Sequence, residues 1–275
     1  VAKPERTAGI VLAGGASERM GSPKATLEWH GSTLVRRAAG LVARAVDGPV
    51  VVVRAAGQEL PALPGDVEVV EDARDGRGPL QGMAAGLQRI GRRAGVVYVA
   101  GVDTPLLHPA FVARVIDALR ASDDVVLPRA HGFGQHLAAA YRVAKLARAL
   151  DEQLRHERLG ARDLIARLQA HELDEEALLA DPRLAELDPR LYSLLNLNTP
   201  AEYEAARARP APRVTVRVSP TAAPSAVHAA TLAAAAEAAG IALGARTSAT
   251  LEGHGPISDP GEPLAAGDAL TFGPS

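Results

Sequence analysis

Short apolar runs, most of them β-branched, that alternate with longer stretches of helical spacing leave this chain few architectures to choose from. The runs are 9–12, 50–54, 67–70, 96–100, 125–128 and 191–195, and each is read as a strand. Helices are expected over 33–46, 81–90, 109–121 and 143–155. Pro109 suits a first helical turn, and Leu146, Leu150 and Leu154 mark a core-facing stripe. Apolar runs alternating with helices point to an α/β fold with a doubly wound, mostly parallel sheet covered on both faces. In such a sheet ligands bind beyond the carboxyl ends of the strands.

The stretch Leu12-Ala-Gly-Gly-Ala-Ser-Glu-Arg-Met-Gly-Ser-Pro-Lys24 leaves the first run at that end. Gly14 and Gly15 have no Cβ, so backbone N–H groups are free to approach a ligand and to take positive φ. Arg19 and Lys24 follow on a loop long enough to fold both over a triphosphate, where a guanidinium fork and an ammonium suit phosphate oxygens. The Walker loop is excluded because Ser22-Pro23 separates Gly21 from Lys24, and the dinucleotide fingerprint fails as well. The stretch reads as a nucleoside triphosphate site or, on the glycines alone, as a glycine-rich strand-to-helix connection with solvated charges, and both readings stay open at this point.

Three further segments bear on the crevice, and of these Asp103, like the Asp72 segment, falls at a strand end. Asp103 follows the buried run 96–100 and precedes Thr104-Pro105, a rigid setting for a carboxylate that could hold Mg2+ with waters and phosphate oxygens. Its alternative is a cap on the helix starting near Pro109. Gly78-Pro79 sets a turn, Leu80 offers an apolar face, and the helix from Gln81-Gly82 points its positive end at the crevice, where a nucleoside half would lie. Asn196 and Asn198 flank Leu197 and would project from one side of an extended strand end. Asn198 reads equally well as the N-cap of a helix through 201–205.

Composition removes several function classes. Thirty basic against thirty-two acidic residues argue against a nucleic-acid partner. Aromatic content of 3% argues against base stacking on aromatic platforms, whereas 47% hydrophobic residues support an aliphatic core. With no cysteine, disulfides, thiolate metal sites and Cys nucleophiles are ruled out. The apolar stretch near the N-terminus is too short for a signal peptide, and no eighteen-residue apolar span exists, so a cytoplasmic protein without a membrane partner is expected.

The motifs, in their order, resemble the nucleotidyltransferases that include molybdenum cofactor guanylyltransferase and molybdenum cofactor cytidylyltransferase. The match runs through Leu12 to Lys24, Glu71-Asp72, Gly78-Pro-Leu-Gln-Gly-Met83, Val102-Asp-Thr-Pro105 and Asn196-Leu-Asn-Thr-Pro-Ala-Glu202, spanning about residues 8 to 208. Gly14-Gly15 and the Asn-x-Asn-Thr-Pro element bring it closer to the guanylyl enzyme. The resemblance implies a nucleotide-diphospho-sugar-transferase-like fold and transfer of GMP from GTP to the terminal phosphate of molybdopterin or molybdenum cofactor, with release of pyrophosphate. It implies catalytic roles for Arg19, Lys24 and Asp103, and Mg2+ on Asp103 and Asn198. Nucleotide contacts would come from Leu12, Ala13, Gly14, Gly15, Lys24, Asp72, Gly78, Pro79, Leu80, Gly82 and Asp103. His136, Asn196 and Asn198 would face the acceptor, with Arg162 near its pterin. Asp72 would accept from guanine or a ribose hydroxyl, its alternative being a solvated loop acid. Guanylyl members often carry an Asn after the second strand, where this chain has Val53-Arg-Ala-Ala56. A cytidylyltransferase or another sugar or cofactor nucleotidyltransferase stays open for that reason, as does a non-catalytic cofactor chaperone. The acidic stretch 170–188 is expected to be an exposed excursion.

Past residue 208 the pattern changes. Residues 1–208 are expected to form the nucleotidyltransferase domain, 209–213 a proline-punctuated linker, and 214–275 a small β-grasp-like domain. The last segment resembles ubiquitin-like sulfur carriers such as the molybdopterin synthase small subunit, through Pro263-Leu-Ala-Ala-Gly-Asp-Ala-Leu-Thr-Phe272. Such carriers use a terminal Gly-Gly, and this chain reads Gly273-Pro-Ser275. A docking or oligomerisation module is expected, with molybdenum cofactor biosynthesis proteins as its partners.

Overall fold

Apolar side chains on both sides of each short run need cover on both sides, and the chain supplies it with helices. A computed structural model describes residues 5–14, 20, 22–72, 78–130, 132–244 and 247–274. It starts with β1 (Thr7–Leu12), the short hairpin β2 (Glu28–Trp29) and β3 (Ser32–Thr33), α1 (Leu34–Ala43), β4 (Val50–Ala55), β5 (Glu68–Asp72), α2 (Gly78–Ile90), β6 (Val96–Gly101) and α3 (Pro109–Asp117). Then come β7 (Val125–Ala130), β8 (Phe133–Gly134), β9 (Ala138–Arg142), α4 (Val143–Arg155), α5 (Ala161–Ile165), β10 (Ala170–Leu173), α6 (Glu175–Leu179), α7 (Pro182–Leu187) and α8 (Pro200–Arg207). The chain closes with β11 (Arg213–Arg217), β12 (Ser225–His228), α9 (Leu232–Ala238), β13 (Thr247–Leu251), β14 (Gly255–Ile257) and β15 (Ala269–Pro274).

The main sheet runs β10-β7-β9-β6-β1-β4-β5, with β8 paired to β7. All its long strands are parallel except β9, which lies antiparallel between β6 and β7. Alternation then divides each strand between two cores. Val50 and Val52 of β4 join the cluster with α1 and α3, while Val51 and Val53 join the one with α2 and α4. From β1 the chain moves outward to β4 and β5, then returns to β6 on the other side of β1. The crevice where the direction of winding reverses therefore opens at the carboxyl ends of β1 and β6. Among the described residues no helix is long and apolar enough to cross a membrane.

Two expectations are corrected. The run 191–195 is a 3-10 turn at Tyr192–Leu194, entered through Leu191 in the left-handed region. The carboxylate of Asp188 accepts the N–H groups of Tyr192 at 2.7 Å and Ser193 at 2.9 Å, so these donors are spent in the turn and unavailable to a ladder. The stretch 170–188 is no exposed excursion either. β10 extends the sheet beside β7, and Leu173, Leu178 and Leu184 are buried. Its acids were misleading because Asp174 and Asp181 are the N-caps of α6 and α7, accepting from Ala177 and Leu184 at 2.8 Å each.

The C-terminal sheet has the order β12-β11-β15-β13-β14, with β11 and β15 parallel and the other pairs antiparallel. One helix, α9, packs beneath it, and that arrangement is a β-grasp. This domain lies against α1 and the β6–α3 connection. Arg44, the C-cap of α1, grips Asp268 with both Nη atoms at 2.7 and 2.6 Å, each side chain 9% exposed. Gly40 of α1 lets Pro263 come close, for a Cβ there would stand 2.4 Å from its Cγ. Removing one partner of a buried ion pair strands the other charge. Asp268→Ala is therefore expected to lower unfolding free energy by about 3–5 kcal/mol in urea titration, and a loss within error of zero would contradict the pair's structural role.

His108 forms a second tie. Its Nδ1 accepts from the Ala110 N–H at 3.0 Å and its Nε2 meets the Ala266 carbonyl at 2.9 Å, which sets the neutral tautomer with the proton on Nε2. Burial pushes the ring below the ordinary imidazole value, with Asp268 and Asp188 opposing and Arg44 reinforcing the shift. Such a group contributes fully above the unfolded value near 6.5, and stability drains as pH falls from there toward the lower folded value. The melting temperature of the wild type should drop more between pH 7 and pH 5 than that of His108→Gln; parallel curves would refute this.

Candidate functional site

Pairing registers place the site before any side chain is considered. Leu12 of β1 stands opposite Val53 of β4 on one side and Gly101 of β6 on the other. Ala13 and Gly14 thus leave the sheet beside the segment that carries Asp103. The N–H groups of Ala13 and Gly14 both donate to the Val53 carbonyl, at 2.8 and 3.1 Å. Those two donors are engaged, and Gly14 does not have a positive φ, contrary to the expectation for this turn. Its missing Cβ serves a different contact, since a Cβ would stand 2.8 Å from the Ala55 nitrogen. Gly15 and Arg19 lie outside the described residues.

Lys24 opens the 3-10 turn Lys24–Thr26, anchored by the fully buried Ala25. Its Nζ donates to Asp103 Oδ2 at 3.1 Å and to Asn198 Oδ1 at 3.3 Å. The side chains of Lys24 and Asp103 are only 18% and 24% exposed, so the pair is partly withdrawn from water at the crevice mouth. Three expected site residues from distant parts of the chain therefore converge on one ammonium.

Asn198 is positioned by two devices. The Leu197 N–H donates to the Asp103 carbonyl at 2.8 Å, joining the two segments by their backbones. Thr199 and Glu202 then form a capping box at the start of α8, in which Glu202 Oε2 accepts from Asn198 N–H at 2.6 Å and Thr199 N–H at 2.9 Å. The Asn198 N–H is the main reason the Glu202 carboxyl is held below the usual carboxylate range. The N-cap is Thr199, one residue beyond the expected Asn198, which leaves the Asn198 amide for Lys24. Residues 195–199 do not form a strand. Asn196 is half-buried beside Leu197, and its alignment with Asn198 on one strand face is not what unites the site.

The nucleoside-side expectations separate. Gly78 begins α2 with φ +68°, which glycine alone adopts without strain, and Pro79 follows in the first turn. Gly82 faces β1, where a Cβ would meet Leu12 at 3.1 Å and lie 4.0 Å from Asp72 Oδ2. Asp72, the last residue of β5, thus sits over the start of α2. Leu80 is corrected: it is fully buried in the core under α2 and presents no face to a ligand. Leu12 and Ala13 are buried too, at 8% and 6% exposure.

His136 precedes β9 at the crevice end of the sheet, since β9 runs antiparallel and Ala138 pairs Ala100. The Tyr141 hydroxyl donates to its carbonyl at 2.8 Å, and burial lowers its ring below the ordinary imidazole value. Arg162 lies exposed on α5.

Sequence reasoning missed Gln58. Its Nε2 donates to the Ala13 carbonyl at 3.1 Å and its Oε1 accepts from Ala55 N–H at 2.9 Å, clamping the glycine turn to the end of β4. Arg54, whose Nη1 donates to the Gln58 carbonyl at 2.7 Å and Nη2 to Glu71 at 3.1 Å, supports that clamp. The unexpected Arg54 after the second strand was the only visible signal.

Asp103 and Asn198 offer two oxygens converging on a single positive group, the donor chemistry a hard divalent cation requires. Among the described residues no group of three His, Cys, Asp or Glu side chains is placed to hold a metal. A divalent cation here would take its remaining ligands from water and phosphate.

A family model described as a MobA-like NTP transferase domain matches residues 9–173. A probable molybdenum cofactor guanylyltransferase of Pelotomaculum thermopropionicum is 33% identical over 212 residues, which are 76% of this chain and 96% of that protein. A molybdenum cofactor guanylyltransferase of Desulfosudis oleivorans is 30% identical over 201 residues, 73% of this chain and 94% of that one. Among solved structures, molybdopterin-guanine dinucleotide biosynthesis protein A from Archaeoglobus fulgidus is similar in fold, with a TM-score of 0.58 and 22% identity over 73% of this chain and 96% of its own.

Proposed function

The chain belongs to the MobA-like NTP transferase domain family, and on that premise we propose that it transfers GMP from GTP to the terminal phosphate of molybdopterin or molybdenum cofactor. The observation that carries this reading is the meeting of Lys24, Asp103 and Asn198 at the carboxyl ends of β1 and β6. In the reaction an oxygen of the acceptor phosphate forms a bond to the α-phosphorus of GTP. The bond between that phosphorus and the bridging oxygen to the β-phosphate breaks, and pyrophosphate leaves with the electron pair. The attacking phosphate is already anionic, so no protein base has to remove a proton. What remains for the chain is positioning and charge stabilisation.

Lys24 supplies a positive charge to the polyphosphate, and its ammonium is already held at the mouth of the crevice. Asp72, above the start of α2, is placed to accept from the guanine edge or a ribose hydroxyl. His136 and Asn196 are assigned to the acceptor side. Nucleotidyltransferases of this kind generally use a divalent metal; we take it to be Mg2+, held by Asp103 and Asn198. It would neutralise phosphate oxygens as charge moves to the leaving pyrophosphate.

The test is pyrophosphate release measured with each of the four ribonucleoside triphosphates, with and without molybdopterin. Release that needs both GTP and molybdopterin is expected. Preference for CTP would make the protein a cytidylyltransferase, and pterin binding without any pyrophosphate release would make it a non-catalytic cofactor carrier.

A further inference from the structure

Arg37 of α1 is 2% exposed and forms no ion pair among the described residues. Its guanidinium instead joins three separate carbonyls. Nε donates to Pro105 at 2.5 Å, and Nη1 donates to Leu264 at 3.0 Å and Ala230 at 3.3 Å. Pro105 is two residues beyond Asp103, while Ala230 and Leu264 belong to the C-terminal domain. The guanidinium also stacks on Trp29, with its carbon 4.4 Å from the ring centroid. Burial lowers its pKa to about 9, a measure of how poorly this environment suits a charge. A Leu or Met would fill the space without that cost. No apolar side chain could bind three carbonyls of three segments at once.

A second contact holds the same connection from its other end. His108 reaches Ala266 of the C-terminal domain through Nε2, while its backbone N–H donates to Ser193 Oγ at 3.0 Å. The segment 103–108 is thus tied near each end to carbonyls of the C-terminal domain. Behind it, Trp29, Leu197, Tyr203 and Ala230 share one apolar cluster, with Met20 and Leu106 packed against it. The backs of the 22–29, 103–108 and 197–203 segments, whose fronts carry Lys24, Asp103 and Asn198, all meet that cluster.

We infer that the C-terminal β-grasp domain is a positioning element of the active site, which sets the Asp103 segment through Arg37 and His108 so that the metal is held correctly. This rests on the reading of Asp103 as the metal-holding acid. Arg37 touches no reacting atom; it is a positioning residue, and the domain it recruits works in cis.

The test uses the full chain with Arg37→Met and Arg37→Lys. Pyrophosphate release is followed against GTP and against Mg2+, with the melting temperature measured alongside. In Arg37→Met, kcat should fall and the Mg2+ concentration for half-activation rise by about tenfold each, as for other residues that orient a metal ligand. KM for GTP should stay within about threefold, and Arg37→Lys should not rescue, because an ammonium lacks the planar fork. Unchanged kcat and Mg2+ dependence in a folded Arg37→Met protein would overturn the inference, as would full rescue by lysine. If Arg37→Met does not fold, Asp268→Asn loosens the same domain from a distance. It should raise the Mg2+ requirement in the same direction, and no change there would equally overturn it.

Failure of the reaction itself is a separate outcome, seen as a wild type that releases no pyrophosphate with any nucleotide. Mn2+ titration of Trp29 emission, from the only tryptophan of the chain, then decides. A response present in the wild type and lost in both Asp103→Asn and Arg37→Met supports the coupling, and a response retained in Arg37→Met, or none in the wild type, refutes it.

Discussion

Lys24→Ala is expected to lower kcat for pyrophosphate release by about 10²- to 10³-fold while leaving the protein folded. The size is that of removing from a partly dehydrated crevice one positive charge proposed to stabilise the polyphosphate. Stability should change little, because an ion pair still reached by water is worth about 0–1 kcal/mol, and Lys24 and Asp103 keep 18% and 24% exposure. Loss of activity with an unchanged melting temperature separates a chemical role from a structural one. Turnover within about threefold of wild type would remove Lys24 from the mechanism.

Asp103→Asn carries the other large effect, with a different signature. It keeps the shape of the side chain and removes the carboxylate charge from the site where Lys24 and Asn198 meet. Both kcat and apparent metal affinity should fall, kcat by about 10²-fold or more. The contrast with Lys24→Ala is the decisive part. Lys24 now occupies the point at which the two oxygens converge, so its removal takes away a competitor of the cation and should not raise the Mg2+ requirement. Asp103→Asn should raise it. A shared metal dependence in the two variants would mean that Asp103 holds the lysine and nothing else.

Parts of the site were legible because their determinants are contiguous. The strand 96–100 and the Asp103 that follows it are neighbours in sequence, as are the run 9–12 and its glycine turn. Once strands are recognised, a parallel sheet sends both segments to one edge. Leu80 was misread for the complementary reason, that a helix start and a helix core face look alike until the helix is docked. Its rotation on α2 turns Leu80 into the core, while Gly82 takes the place facing Leu12 and Asp72. The acids of 170–188 were misread because an N-cap and a solvated charge use the same residues. Only the helix that follows tells them apart. Asn196 and Asn198 were grouped by a strand periodicity, yet Asn198 is delivered by a capping box and a backbone bond to Asp103, which have no period.

The strands β1, β4, β5, β6 and β7, the helices that follow them, and the presence of Lys24 and Asp103 beyond β1 and β6 were determined by the sequence by itself, since each depends on residues close together in the chain. The tertiary structure alone decided which oxygens meet the Lys24 ammonium, one 79 and the other 174 residues away, and that a buried arginine would fasten the C-terminal domain to the active-site segment. Those choices depend on how packed layers register against each other. Local spacing carries no record of that, because the free energy that selects it comes from apolar surfaces far apart in the chain and buried together.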